Sequence, residues 1–184
     1  MNVIYEQKLI EQAKGRGGAA AFSKLYDHYF PKVFNYFSWR ICNKDDVEDL
    51  TSELFCKLLQ HINKYSHTNR IPFSAWLFRI AHNSLIDYFR QNKKRTWVAL
   101  DRLPELRSDD ESPEKATEKK LLFQGLATLV TSLPKKQAEI VSLRYFSELS
   151  TKETAITLGI SEQAVATTLC RSLRKLQSRL TTVV

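Results

Sequence analysis

Three acids in the run DDVEDLTSELF, namely Asp46, Asp49 and Glu53, recur at spacings of three and four. At that spacing their carboxylates share one face of a helix. Such a face is either simply solvated or a docking surface. Docking on a protein is the sharper expectation, because acids here would repel a nucleic acid.

A second constellation lies in RIPFSAWLFRIAHNSLIDYFRQNKKR, from Arg70 to Arg95. Aromatic rings and Arg stack well on unpaired bases, and Lys and Arg suit phosphates. Helical spacing sends Phe73, Trp76, Leu77 and Ile80 to one side, as core. That leaves Asn83, Tyr88 and the loop KYSHTNR, with Tyr65 and Arg70, for contact with bases. The basic tail of Arg90, Lys93, Lys94 and Arg95 is left for the backbone.

The third constellation has helix-turn-helix spacing. Ser150 or Thr151 caps a helix, and Ala155 is small where two helices must approach. Gly159 can turn left-handed at low cost, and Ser161 caps the next helix. Val165, Leu169 and Leu173 form the inner stripe of that second helix. Gln163, Ala164, Thr167, Thr168 and Arg171 are left facing outward. Such a helix reads base edges in the major groove with its N-terminal half. The alternative is a plain helical hairpin. The flanking cations Lys152, Arg171, Arg174 and Lys175 favour DNA.

Nothing points to catalysis. His28, His61, His67 and His82 sit in no H-E-x-x-H pattern, and no phosphate loop or nucleophile elbow occurs. Cys56, His61 and His67 have irregular spacing for a metal. No cofactor, metal or small-molecule substrate is therefore expected.

These residues need elements to position them. The chain has 184 residues and 43% hydrophobic content, enough for one domain or two small ones. Few Gly and Pro, and few alternating apolar runs, argue for an all-α fold. Phe22, Leu25, Tyr29, Val33, Phe34 and Phe37 make one helical stripe, which Pro31 kinks or divides. Val47, Leu50, Leu54, Leu58 and Ile62 make another, capped by Asn43 or Asp45. Ser74 opens a further helix, and Pro134 one more. Three cysteines without a C-x-x-C pair fit a reducing cytoplasm. No secretory signal or membrane-length apolar run is read in the sequence.

Charge divides the chain. Residues 1–95 carry +6, residues 96–118 carry −4 and residues 119–184 carry +6, giving the net +8. The expected organisation is two small helical domains, 1–95 and 119–184, joined by an acidic linker. Basic domains suggest a polyanionic partner.

The runs FSKLYDHYFPKVFNYFSWRI, DDVEDLTSELFCKLL, FSAWLFRIAHNSLIDYFRQNKKR and LPKKQAEIVSLRYFSELSTKETAITLGISEQAVATTLCRSLRKLQSRL occur in that order. Together the chain resembles a bacterial sigma factor of the extracytoplasmic-function group in the sigma-70 family. The resemblance covers about residues 20–95 and 120–180. It implies that Asp46, Glu48, Asp49, Leu50, Glu53 and Phe55 grip the β′ clamp helices of core RNA polymerase. It implies −10 promoter contact through Tyr65, Arg70, Asn83, Tyr88, Arg90, Lys93, Lys94 and Arg95. Reading of the −35 element would fall to Lys152, Ser161, Gln163, Ala164, Thr167, Thr168, Arg171, Arg174 and Lys175. The implied partners are core polymerase, its β flap included, promoter DNA and an anti-sigma factor. Such an inhibitor could also hold the chain at a membrane. Family members often carry Lys or Arg where this chain has Ala166 and Thr168, and the usual Gly of the −10 loop is missing. The rival expectation is a helix-turn-helix regulator whose N-terminal domain senses a ligand or dimerises.

Overall fold

The computed structural model describes residues 1–41, 43–66, 71–92, 130 and 132–183. The acidic linker of residues 96–118, and residues 119–129 of the second expected domain, lie outside the described residues. All regular elements among the described residues are helical.

The first body has four helices: α1 Val3–Lys14, α2 Ala19–Ser38, α3 Lys44–His61 and α4 Phe73–Gln91. Asn2 caps α1 by accepting from the Ile4 amide at 3.2 Å. The turn into α2 is tight enough to require Gly18, where a Cβ would fall 2.6 Å from the Ala13 carbonyl. Pro31 neither divides nor ends α2, which runs unbroken through it. Its buried face of Leu25, Tyr29, Val33, Tyr36 and Phe37 outweighs the one backbone bond that Pro removes. Asn43 caps α3, and Asp45 and Asp46 occupy its first turn, where the helix dipole favours acids. The whole expected stripe from Val47 to Ile62 is buried. Ser74 does not cap α4: Pro72 holds the cap position without a side-chain bond.

Aromatic packing fixes these helices. Phe73 of α4 meets Tyr29 of α2 at 5.5 Å and Tyr65 at 5.2 Å between ring centres. Phe55 of α3 meets Tyr26 of α2 at 4.6 Å. Phe73, Leu77 and Phe78 are fully enclosed, and Trp76 and Ile80 pack partly buried beside them. Most of α4's aromatics are therefore scaffold.

The second body has α5 Lys135–Val141, a π-helical turn Ser142–Phe146, α6 Thr151–Leu158 and α7 Glu162–Val183. Its inner stripe on α7 is Val165, Leu169, Ser172 and Leu176. Leu173, expected inside, is 39% exposed. Over eleven residues the 3.6-residue period selects position 172 in place of 173, and Ser172 satisfies its hydroxyl on the Thr168 carbonyl at 2.8 Å.

The two bodies do not stay apart. Leu143 and Leu149 of the second join the core of the first. Trp39, at the end of α2, stacks on Phe146 at 3.7 Å and 16°. Lys32 of α2 pairs with Glu148 at 2.6 Å.

Glu148 itself has φ +57°, left-handed in a residue with a Cβ. That conformation costs about 1–2 kcal/mol for a non-glycine residue. Glu148→Gly removes the penalty and forfeits an ion pair whose glutamate is mostly in water and therefore contributes little. A net gain of about 1 kcal/mol should raise Tm by roughly 2–4 °C. A Tm equal to or below that of the parent would show that Glu148 is unstrained.

Candidate protein and nucleic-acid interfaces

On α3, Glu48, Asp49 and Glu53 are exposed. Lys44 reaches Glu48 at 3.4 Å and Lys57 reaches Glu53 at 2.7 Å, each one turn away. Such exposed pairs are weak and leave the acids available to a stronger partner. Leu50 and Phe55 differ from expectation: both are buried, because their positions fall on the stripe that meets α2. They hold the acidic face in place from beneath. Asp46 is half-buried and accepts a hydrogen bond from the Tyr88 hydroxyl at 2.6 Å. The structure thus joins one residue expected to meet protein with one expected to meet DNA.

On α4, Asn83 and Arg90 are exposed on one face, with Arg90 paired to Asp87 at 3.0 Å. Arg79, one turn before Asn83, is also exposed and adds a cation that the sequence reading missed. Its signal was the four-residue spacing. Tyr65 is a correction. It is 3% exposed, its ring lies against Phe73 and Trp76, and its hydroxyl donates to the Ile71 carbonyl at 2.8 Å. A tyrosine so placed shapes the loop and offers no surface. Arg70, Lys93, Lys94 and Arg95 lie outside the described residues.

The helix-turn-helix is built by local chemistry. Ser150 accepts from the Glu153 amide at 3.1 Å, and Glu153 accepts from the Ser150 amide at 2.7 Å, a complete capping box. Burial pushes the Glu153 carboxyl up, but hydrogen bonds from Ser150 and Ser74 leave it below the usual carboxylate range. Gly159 takes φ +66° and closes α6. Ser161 accepts from the Ala164 amide at 3.1 Å and opens α7. Gln163, Thr167, Arg171, Arg174 and Lys175 are exposed, while Ala164 and Thr168 are half-buried on the same outer side. Lys152, in the first turn of α6, and Ser161, at the start of α7, are exposed. Hydroxyls, an amide and three cations along one helix face can meet base edges and phosphates.

A further cluster was invisible in sequence. Glu139 of α5 accepts from the Tyr36 hydroxyl at 2.6 Å and meets His82 Nδ1 at 3.1 Å. Its other oxygen pairs with Arg40 at 2.8 Å. These groups are 57 to 103 residues from Glu139 where the hydrogen bonds are concerned, so no local pattern links them.

Comparisons with known proteins agree with this geometry. Residues 25–95 match the family model Sigma-70 region 2, and residues 123–176 match Sigma-70, region 4. The chain is 36% identical over 92% of its length to the ECF RNA polymerase sigma factor BldN of Streptomyces coelicolor, of which it spans 63%. It is 30% identical over 84% of its length to the ECF RNA polymerase sigma factor SigM of Bacillus subtilis, spanning 92% of that protein. The fold is similar to that of CnrH, solved in complex with the cytosolic domain of CnrY, with TM-score 0.70, 24% identity and coverage of 97% and 98% of the two chains. Sigma factors are not an enzyme family. No helix among the described residues is long and apolar enough to cross a membrane.

The capping box gives a test of how the helix-turn-helix is held. Ser150→Ala removes the cap at a cost of about 1 kcal/mol. Tm should fall by roughly 2–4 °C, while Thr151→Ala should leave it nearly unchanged. Equal losses would assign the cap wrongly. On its sequence, its two matched regions and its helix-turn-helix, the chain belongs to the extracytoplasmic-function group of sigma-70 family sigma factors.

Proposed function

We propose that this chain confers promoter specificity on core RNA polymerase: it binds the enzyme, recognises −10 and −35 elements and promotes transcription initiation. The observation that carries the reading is the exposed acidic face of α3 in a chain of net charge +8. A DNA-binding surface would not carry it, whereas a cationic face on a protein partner would complement it. The rival regulator would place an apolar dimer seam there, but Glu48, Asp49, Ser52 and Glu53 make the exposed positions of the first three turns of α3 polar.

Residues 1–95 would then hold polymerase and the −10 element, residues 96–118 would serve as an acidic tether, and residues 119–184 would read the −35 element and meet the β flap. Asp46, Glu48, Asp49 and Glu53 are the proposed polymerase contacts. Asn83 and Arg90, followed by Lys93, Lys94 and Arg95, are the proposed −10 contacts. Gln163, Thr167, Thr168 and Arg171 are proposed to face −35 base edges, and Lys152, Arg174 and Lys175 the phosphates. The chain itself would carry no catalysis. It would act where the chromosome lies, in the cytoplasm, under an anti-sigma factor that could tether it to a membrane; CnrH, which it resembles in fold, is seen in complex with the cytosolic domain of CnrY.

Reversing Asp49 and Glu53 together to Lys should abolish binding to core polymerase and leave helical content intact. Core affinity equal to the parent's, measured by pull-down and titration, rejects this surface. Asn83 and Arg171 should fail differently. The Asn83 amide offers a donor and an acceptor, so it can read an unpaired base edge. Asn83→Ala should impair strand opening, and a template already melted at −10 should rescue it only partly, because the base contact is still missing. Arg171→Ala should weaken duplex binding by about 1–3 kcal/mol if it loses a bidentate base contact, and the same template should rescue it more fully. Permanganate reactivity beside gel-shift affinity on both templates reads the difference. The same loss on both templates for both variants removes the separation of melting from duplex reading.

A further inference from the structure

We infer that Glu139, held by Tyr36, Arg40 and His82, is a latch that keeps the two promoter-reading bodies closed on each other until polymerase opens them. Its significance rests on the promoter reading above, but the closed state does not.

The geometry is unusual for a contact between two domains. Arg40 and Glu139 are each only 7% exposed, Tyr36 is fully buried, and the guanidinium also lies 4.5 Å from the Tyr36 ring. Tyr36 of α2, Arg40 in the turn just after it and His82 of α4 converge on one carboxylate of α5. Burial alone would push the Glu139 carboxyl up, yet Arg40 and the hydrogen bonds from His82 and Tyr36 hold it below its ordinary range. Beside it, a cleft of about 460 Å³ runs along the seam, with Leu85, Ile86 and Phe89 on one wall and Leu158 and Ile160 on the other. The seam is therefore not packed tight throughout, and the charge cluster carries its specificity.

Closure conflicts with promoter reading. The −10 and −35 elements are about 25 base pairs apart, roughly 85 Å along B-form DNA at ten base pairs per turn. A compact chain of this size has a radius of gyration of about 16 Å. Its two bodies in contact cannot reach both elements. A buried ion pair is suited to such a restraint. Removing one partner strands the other charge and is strongly unfavourable, whereas replacing both with apolar groups is close to neutral. The seam thus tolerates closure or separation and little between.

The native thiols of Cys56 on α3 and Cys170 on α7 are both free and exposed, one on each body. Spin labels there, in a full-length Cys42→Ser background, report the distance between bodies. The parent should give one narrow distribution. Glu139→Gln should raise a second, longer population at least about tenfold, with circular dichroism unchanged. The double variant Arg40→Met with Glu139→Met should return to the narrow distribution, which general unfolding would not do. A parental distance for Glu139→Gln, or a double variant as open as the single one, overturns the latch. In stopped-flow assembly with core polymerase, Glu139→Gln should bind faster than the parent and the double variant like it. Equal rates despite an open Glu139→Gln overturn the restraint on assembly. Failure of every protein, the parent included, to bind core would count against the promoter reading, while the distances would still decide the latch.

Discussion

A carboxylate taken out of water must find its counter-charge, and in this fold Glu139 finds it across a domain boundary. Desolvation would otherwise drive the group to protonate or the seam to open. Tyr36 of α2, Arg40 just beyond its end and His82 of α4 meet that demand, and both helices are themselves fixed by the aromatic core around Phe37, Phe73 and Phe78. The placement of the second body therefore depends on the internal order of the first. Apolar contacts at the seam add adhesion but little direction. The hydrophobic effect is non-directional, and Leu143 and Leu149 could slide where an ion pair with two hydrogen bonds could not.

Separation has a definite consequence. Leu143 and Leu149 are fully enclosed in the closed chain, and Phe146 is covered by Trp39. Exposing a buried Leu costs roughly 1.5–3 kcal/mol. An open chain without a partner would present those residues together as an apolar patch beside an unpaired acid. Such a patch is a site for another protein. Opening is thus favourable only when something replaces the first body on the second, which couples the conformation to the partner. The recognition face of α7 remains exposed in the closed chain, so closure withholds reach and leaves the surface chemistry in view.

What the sequence made legible was local. The caps of α6 and α3 and the left-handed Gly159 depend on neighbours within four residues: Gly159 is in the structure as read, and the structure selects Ser150 over Thr151 and Asn43 over Asp45. The stripes of α2 and α3 were legible because a helix buries one face at a fixed period. Errors arose where a distant residue decided the outcome. Tyr65 reads as a surface aromatic until Phe73 and Trp76 close over it. Ser74 reads as a cap until its hydroxyl is seen donating to Glu153. Leu173 reads as core until the drift of 3.6 residues per turn brings Ser172 under the helix. The seam was wholly illegible. Nothing near Glu139 announces that its partners lie on α2, in the turn after it and on α4, and a charged residue in a charged chain is ordinarily solvated.

The hydrogen bond from Tyr88 to Asp46 links the two surfaces of the first body more directly than either surface suggests. It ties the C-terminal half of α4, which carries Asn83 and Arg90, to the first turn of α3, which begins the acidic face. A carboxylate has several lone-pair sites. A polymerase donor at another of the lone-pair sites of Asp46 would leave the Tyr88 bond in place. Engagement of α3 then need not release α4; it would remove freedom that α4 still has in the unbound chain. The residues proposed to hold an unpaired base would be oriented before any base is unpaired. Less entropy would remain to be lost at the melting step. On the proposed assignments, the Tyr88 hydroxyl would thus make protein docking a preparation for DNA contact.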